Sequence, residues 1–161
     1  MDWITISNAI KALDWATLSN IAVVISAMFL VWQLAEMRRT TQAQAFSVAV
    51  EHLQEERVRQ ARQTVFQLKG KPLESWSSEE LRSAEVVCHT YDAIGQMVRH
   101  KLLSKKIIVS SWGPSLRRSW PIVRSLVEKY RREFDAVEYW DDYEWLANKA
   151  QKAKERWDTE K

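Results

Sequence analysis

Side chains suited to catalysis or metal binding are few in this chain. It contains three histidines and one cysteine, and the densest group of candidate metal ligands is Glu85, Cys88, His89 and Asp92. Such ligands hold a metal only when they converge, but Cys88 continues an apolar row that is expected to be buried, and His89 lies beside it at the surface. His89 and His100 stand about 16 Å apart along a helix, too far to share a metal. The sequence therefore predicts no metal centre.

Motifs of known catalytic or cofactor chemistry are absent from the sequence as well. It has no Glu-x-x-His pair for a di-iron bundle, no His-Glu-x-x-His zinc motif, no phosphate loop and no dinucleotide glycine fingerprint. Asp141, Asp142 and Glu144 form an acidic group, but at the start of a predicted helix they act as cap and dipole partners. The sequence predicts a protein that is not an enzyme and binds no cofactor.

Basic and aromatic side chains remain as candidates for a binding surface. Trp112 and Trp120 flank a predicted Gly-Pro turn, and Arg117 and Arg118 lie between them. Indole and guanidinium groups can stack on a ligand or a partner, so Trp112, Arg117 and Arg118 are candidate partner contacts; core packing is the alternative, and it is favoured for Trp120. Lys and Arg exceed Asp and Glu only by 24 to 21. That balance argues against nucleic-acid binding and suits a domain beside anionic lipid.

One charge-free segment, residues 15–35, determines where the rest of the chain is placed. Its twenty-one residues would cover about 30 Å as a helix, which is the thickness of a bilayer's hydrocarbon core. Trp15 and Trp32 would lie about 25 Å apart, at the two aromatic belts of a membrane protein. A buried helix of a soluble bundle is the alternative, because the densest apolar part, residues 21–34, is short. We predict one transmembrane helix.

The residues that flank this segment predict its orientation. Arg38 and Arg39 follow it, whereas Lys11 and the terminal amine precede it. Positive charge favours the cytoplasmic side, so we expect the N-terminus outside and the C-terminal domain in the cytoplasm. Arg38 and Arg39, with Trp15 and Trp32, are the predicted interfacial anchors. The segment lacks the basic leader and the cleavage site of a signal peptide, so we expect it to remain as an anchor.

Small and polar residues recur on one side of the predicted transmembrane helix. They are Ser19, Ala22, Ser26 and Gln33, and Ala22-x-x-x-Ser26 is a pair of small residues one turn apart. Such faces let transmembrane helices approach closely and form hydrogen bonds with a partner. The alternative is that the hydroxyl groups bond to their own backbone. These four residues are the predicted membrane helix packing face.

The whole sequence is poor in turn residues, with only three glycines and three prolines. It therefore predicts an all-α protein with an antiparallel helical bundle. In order, the predicted segments are a short amphipathic stretch at 1–14, the transmembrane helix at 15–35, a continuous stalk helix at 36–69, a helical bundle at 77–157 and a frayed tail at 158–161.

Caps and stops predict the helices within the bundle. Ser77 and Glu80 form a capping box that begins one helix, and Gly113 with Pro114 is predicted to end a short helix at 105–112. Asp141 begins the last helix. The side chains predicted to face inward from that last helix are Tyr143, Leu146, Ala150 and Trp157.

Four stretches carry a resemblance to a known family. The order of WQLAEMRR, YDAIGQMVRHKLLS, SWGPSLRRSWPIVRSLVEKYR and YWDDYEWLA is similar to a bacterial family of small single-pass membrane proteins known only as a domain of unknown function. The resemblance covers nearly the whole chain. It implies a single N-terminal transmembrane helix, a helical C-terminal domain and the bacterial inner membrane as location. It implies no activity, and no site residue can be transferred from it.

These patterns together predict a membrane-anchored protein that acts by assembly. It would be a homo-oligomer, or an accessory or scaffold subunit of a larger membrane complex. Its expected partners are membrane lipid and itself or other membrane-protein subunits, without nucleic acid. An oligomeric pore is the alternative, in which Ser19, Ser26 and Gln33 face water in place of a neighbouring helix.

Overall fold

The computed structural model describes residues 15–159, and this part of the chain is all-α as predicted, with no strand among the described residues. The predicted amphipathic stretch at 1–14, the side chain of Trp15 and the last two residues lie outside the described residues. The helices are α1 (Trp15–Gln54), α2 (Glu56–Gln67), α3 (Ser78–Arg99), α4 (Lys105–Glu133) and α5 (Asp141–Thr159), with a short 3-10 helix at Leu73–Ser75.

The chain forms two compact units, one up to Thr41 and one from Gln42 onward. The first contains the charge-free segment, and every side chain from Thr17 to Thr41 is exposed. Helix α1 continues without a break from this segment to Gln54, as predicted. The second unit contains the end of α1 and the helices α2 to α5, and it has a core of its own.

The core of the second unit consists of apolar side chains spaced three and four residues apart on each helix. This spacing places them on one face, which the neighbouring helices cover. The fully buried members are Leu53, Val65, Ala84, Val87, Cys88, Leu116, Val123, Leu126, Val127, Tyr143, Leu146 and Ala150. Trp157 was predicted to face inward and does not; it is 47% exposed, and every described residue of α5 after Ala153 is exposed as well.

Consecutive helices from α3 to α5 run antiparallel. On α3, Tyr91 contacts Ser115 at 2.6 Å between the two hydroxyl oxygens, whereas Glu85, one and a half turns earlier, contacts Tyr130 near the end of α4. Partner numbers on α4 therefore rise as those on α3 fall. The same reversal relates α4 to α5, and short connections favour such neighbours.

The stretch predicted as one stalk helix, residues 36–69, is divided in the structure. Glu55 has an extended backbone, with ψ at 136°, and separates α1 from α2. The break frees the carbonyl group of Leu53, which accepts a hydrogen bond from Arg62 at 2.7 Å. It also lets α2 bury Val58, Ala61 and Val65 in the bundle. No Gly or Pro marks this point, so the sequence carries no local signal for it.

The predicted short helix at 105–112 is wrong, because α4 continues through Gly113, Pro114 and Pro121 to Glu133. Each proline removes one backbone donor. Both prolines lie on the exposed side of α4, where water can bond to the carbonyl groups that lose a partner. Buried residues lie on the same face of α4 before and after Gly113. Their packing stabilises a continuous helix, although Gly113 and Pro114 favour a helix end at this point.

Candidate functional site

The exposed apolar side chains of α1 are not covered by any other part of the described chain. From Thr17, α1 is long and apolar enough by composition to cross a membrane: its mean hydropathy reaches 1.9, and none of that window is buried. Val23, Met28 and Val31 are each more than 60% exposed. Water does not stabilise such a surface, and a bilayer does.

The four residues of the predicted packing face lie on one side of this helix. At about 100° per residue, Ser19, Ala22, Ser26 and Gln33 fall within an arc of about 60°, and all four are exposed. Ser26 forms no hydrogen bond with the described backbone, whereas Thr40 and Thr41 further along α1 each bond to the carbonyl group four residues earlier. The Ser26 hydroxyl is thus available to a partner.

The predicted interfacial anchors that can be described are exposed. Trp32 stacks on Phe29, with 5.7 Å between the ring centroids. Arg38 and Arg39 extend into solvent, and Arg39 pairs with Glu36 at 3.7 Å. Because these side chains are exposed on α1, they are accessible to a membrane–water interface.

The three candidate partner contacts of the bundle, Trp112, Arg117 and Arg118, point in different directions in the structure. Trp112 is half-buried and packs against the core. Arg117 points toward α5, where its Nη1 donates to the carbonyl oxygen of Ala150 at 3.3 Å. Arg118 points toward α2, and its guanidinium lies 4.2 Å from the centroid of the Phe66 ring. All three are engaged within the bundle, and they do not form one ligand-stacking surface.

Two basic segments border an open cleft of about 600 Å³ between the end of α2 and α4. Lys69 and Lys71 contribute from one side, and Arg117 and Arg118 from the other. Lys71 is already bound to the carboxylate of Glu80 at 2.7 Å. Among the described residues, Lys71 is the one of these four cations whose charge is balanced by a carboxylate. Arg117 and Arg118 contact a carbonyl group and an aromatic ring, which do not neutralise their charge, so the cleft is basic.

The four candidate metal ligands on α3 diverge. Glu85 accepts a hydrogen bond from the hydroxyl group of Tyr130, and this bond raises the pKa of Tyr130 to about 12. Cys88 is fully buried, and burial raises the pKa of its thiol. His89 Nδ1 lies 3.3 Å from Trp140 Nε1, and Asp92 accepts from the Tyr143 backbone N–H at 3.1 Å. The described residues contain no cluster of three or more His, Cys, Asp or Glu that could hold a metal.

A tight junction between α3 and the start of α5 was missed by sequence reasoning. A Cβ atom added at Gly95 would lie 2.4 Å from the carbonyl oxygen of Asp142. One turn later, Arg99 lies 2.8 Å from a carboxylate oxygen of Asp141 and 2.8 Å from one of Asp142. These acidic residues were predicted as cap and dipole partners, and the structure adds a partner from another helix. The sequence signal for this junction was a glycine, Gly95, four residues before an arginine, Arg99.

Buried hydroxyl groups link α4 and α5. The hydroxyl groups of Tyr143 and Ser119 are 2.7 Å apart, and Ser119 also donates to the carbonyl oxygen of Ser115 at 2.8 Å. Burial raises the pKa of Tyr143 well above its usual value. The phenol therefore stays neutral and serves to fix helix register, since a buried polar pair is stable only when aligned.

Comparison with known proteins gives one match. No curated protein and no solved structure is similar to this chain. A family model described as a domain of unknown function, DUF4760, matches residues 20–150, which include most of the charge-free segment and all of α2, α3 and α4. The chain therefore belongs to the DUF4760 family, as the resemblance predicted.

Proposed function

We propose that this protein is a membrane-anchored assembly protein without enzymatic activity, either a homo-oligomer or an accessory or scaffold subunit of a larger membrane complex. The observation that carries the proposal is the exposed charge-free segment of α1 with its small, polar face. The bundle buries its own apolar side chains, whereas this segment needs another apolar phase.

The small face is the reason to propose assembly as well as anchoring. Lipid tails are as apolar as leucine, so helices in a bilayer associate through close packing and interhelical hydrogen bonds. Ala22 and Ser26 permit close approach, and Gln33 carries both donors and acceptors. A helix that only anchored the chain would be equally stable with leucine at these positions.

The proposed location is a bacterial inner membrane, with the N-terminus outside and the bundle in the cytoplasm. Arg38 and Arg39 support this orientation through the preference of basic flanks for the cytoplasmic side. A reporter fused after Lys161 is expected to be active in the cytoplasm. Periplasmic activity of the same fusion would reverse the orientation.

Assembly can be tested by changing only the packing face. Ala22→Leu combined with Ser26→Leu makes the segment more apolar, so insertion is retained, but it separates the helix backbones. We expect association to weaken by about 1 to 2 kcal/mol, measured as loss of high-mass species after crosslinking in native membranes. The matched control is Val24→Leu with Val31→Leu, which adds bulk on the opposite side of α1.

The outcomes separate the candidate functions. Loss of crosslinks in the first variant alone supports assembly through this face. Equal crosslinking in wild type and both variants would contradict it and leave the bundle as the only remaining assembly surface. Steady conductance of the purified protein in planar bilayers, abolished by the first variant, would favour an oligomeric pore in place of a scaffold.

A further inference from the structure

The connection between α3 and α4 presents a surface that is both basic and apolar. We define the basic loop as residues 100–107, which comprise this connection and the first three residues of α4. Its three lysines, Lys101, Lys105 and Lys106, are exposed, and beside them Leu102 is 41% and Ile107 45% exposed. This mixture of lysines and exposed apolar side chains is typical of segments that bind the interfacial layer of a membrane.

The charge of the basic loop is not balanced within the described residues. No carboxylate lies within 4.0 Å of the ammonium group of Lys101, Lys105 or Lys106 in residues 15–159. The chain from 93 to 127 contains no Asp or Glu and seven Lys or Arg. Arg99 differs from the loop lysines because Asp141 and Asp142 pair with it. The loop lysines therefore suit an anionic partner from outside the chain.

The backbone fixes the shape of the loop. Lys101 has a positive φ of 59°, a left-handed conformation that glycine usually supplies at the end of a helix. The Leu102 N–H donates to the carbonyl oxygen of Met97 at 2.9 Å, and the Lys101 N–H to that of Val98 at 3.1 Å. These bonds close the end of α3 and leave the Lys101 and Leu102 side chains outside the core. A lysine occupies this position although glycine would adopt it without strain.

The basic loop is also tied to the part of the chain that follows the charge-free segment. Gln42 Nε2 donates to the carbonyl oxygen of Lys101 at 3.3 Å, and both residues belong to the second unit. Gln42 follows Ala35 by seven residues, which span at most about 25 Å even when fully extended. The carbonyl group of Lys101 is therefore held beside a residue that follows the charge-free segment closely in sequence.

We infer that the basic loop docks on the anionic headgroups of the membrane that holds α1. The lysines bind lipid phosphates, and Leu102 and Ile107 enter the interfacial layer. This inference rests on the proposed membrane anchoring. Each lysine near an anionic surface strengthens binding about fivefold, so three together give about 100-fold. The loop would thus be bound for most of the time on anionic lipid and free on zwitterionic lipid.

The test uses the full chain in lipid nanodiscs with a fluorophore on the loop. Ser104→Cys supplies an exposed attachment site, and native Cys88 is fully buried. Ser104 makes no side-chain capping bond, so the change leaves α4 intact. The readout is quenching by lipids that carry a headgroup nitroxide, in phosphatidylcholine discs with or without about one third phosphatidylglycerol. We expect quenching to at least double with the anionic lipid and to return to the zwitterionic level at high salt.

Charge variants complete the test. Replacing Lys101, Lys105 and Lys106 with Gln is expected to abolish the response to phosphatidylglycerol. The matched control replaces Lys129, Lys152 and Lys154 with Gln, which removes the same charge from exposed sites on α4 and α5, and it should respond as wild type.

Each remaining outcome opposes the inference. Equal quenching in both disc types would overturn loop docking, and so would a response that the control variant also loses. A label that responds to a soluble polyanion but not to anionic discs would assign the loop to another partner. Flotation of the unlabelled protein with phosphatidylcholine vesicles reports the anchoring separately, so failure of the loop and failure of the anchor are distinguishable.

Discussion

Leu30 and Leu126 illustrate the difference between the two units of this chain. Both leucines lie within a long helix, yet Leu30 is 58% exposed and Leu126 is fully buried. The bundle supplies its own apolar partners, and the charge-free segment of α1 has none within the described residues. Helical structure is therefore the same in both units, and what differs is which medium must cover the apolar side chains.

Polar groups differ between the two units in the same way. In the bundle, the Tyr143 and Ser119 hydroxyl groups bond to each other at 2.7 Å. In the charge-free segment, Ser26 and Gln33 form no hydrogen bond with other described residues and are exposed. These hydroxyl groups of the bundle are paired with each other, whereas the segment has unpaired donors and acceptors on one face. This contrast locates the function we propose in the segment.

The largest predicted effect tests the contrast with one substitution made in both units. Leu126→Ala removes a fully buried side chain and should lower the free energy of unfolding of the bundle by about 3 to 4 kcal/mol. Leu30→Ala should change it by less than about 0.5 kcal/mol. Urea unfolding followed by tryptophan fluorescence measures both. A comparable loss in the two variants would mean that Leu30 is buried against the bundle.

The second prediction concerns the helix junction at Gly95. Gly95→Ala places a methyl group against the Asp142 carbonyl group, which lies in rigid backbone, and should cost about 3 kcal/mol. Gly113→Ala is the control, because there the nearest atom at 3.0 Å belongs to the end of the flexible Arg117 side chain. Alanine also favours a helix by about 1 kcal/mol, so the control should be neutral or stabilising. Thermal unfolding measures both variants, and the midpoint of Gly95→Ala should lie below that of Gly113→Ala.

A smaller effect is expected from the buried hydroxyl pair. Tyr143→Phe removes one partner of Ser119 and should destabilise the bundle by about 1 to 2 kcal/mol.

Ser26→Ala should leave the unfolding of the bundle unchanged but reduce crosslinking in membranes. If Ser26→Ala instead altered unfolding, the two units would not be independent.

The smallest predicted effect is a pH dependence at Asp92. Burial raises the pKa of the Asp92 carboxyl and the nearby Asp142 carboxylate adds to the rise, while the hydrogen bond from the Tyr143 N–H opposes it. A raised pKa means that the folded state favours the protonated form. The contribution of Asp92 is therefore full below the pKa of an unfolded aspartate, about 3.9, and is lost as the pH rises through the folded pKa.

Asp92→Asn keeps the acceptor for Tyr143 and removes the charge. We expect a higher thermal midpoint than wild type at pH 7 and a difference that vanishes toward pH 3. Glu138→Gln, an exposed change in the connection before α5, is the control and should show no such trend. A lower midpoint for Asp92→Asn at pH 7 would mean that the carboxylate is needed in its charged form.

Sequence patterns predicted the elements whose signals are local. The capping box of Ser77 and Glu80 is present as predicted, and α5 begins at Asp141. The break at Glu55 and the continuity of α4 through Pro114 could not be predicted, because tertiary packing decides both against the local residues. Likewise, Arg117 and Arg118 are adjacent in sequence, but they point to different helices, and only the packed bundle determines which partner each one meets.

Site-specific photocrosslinking in native membranes tests the central claim most directly. A benzophenone amino acid replaces Ser26 on the packing face in one variant and Val24 on the opposite face in the other, and both are irradiated at equal expression. The account predicts protein adducts from position 26, identifiable by mass spectrometry, and lipid adducts or none from position 24. Equal protein adducts from both positions, or none from position 26, would contradict assembly through this face.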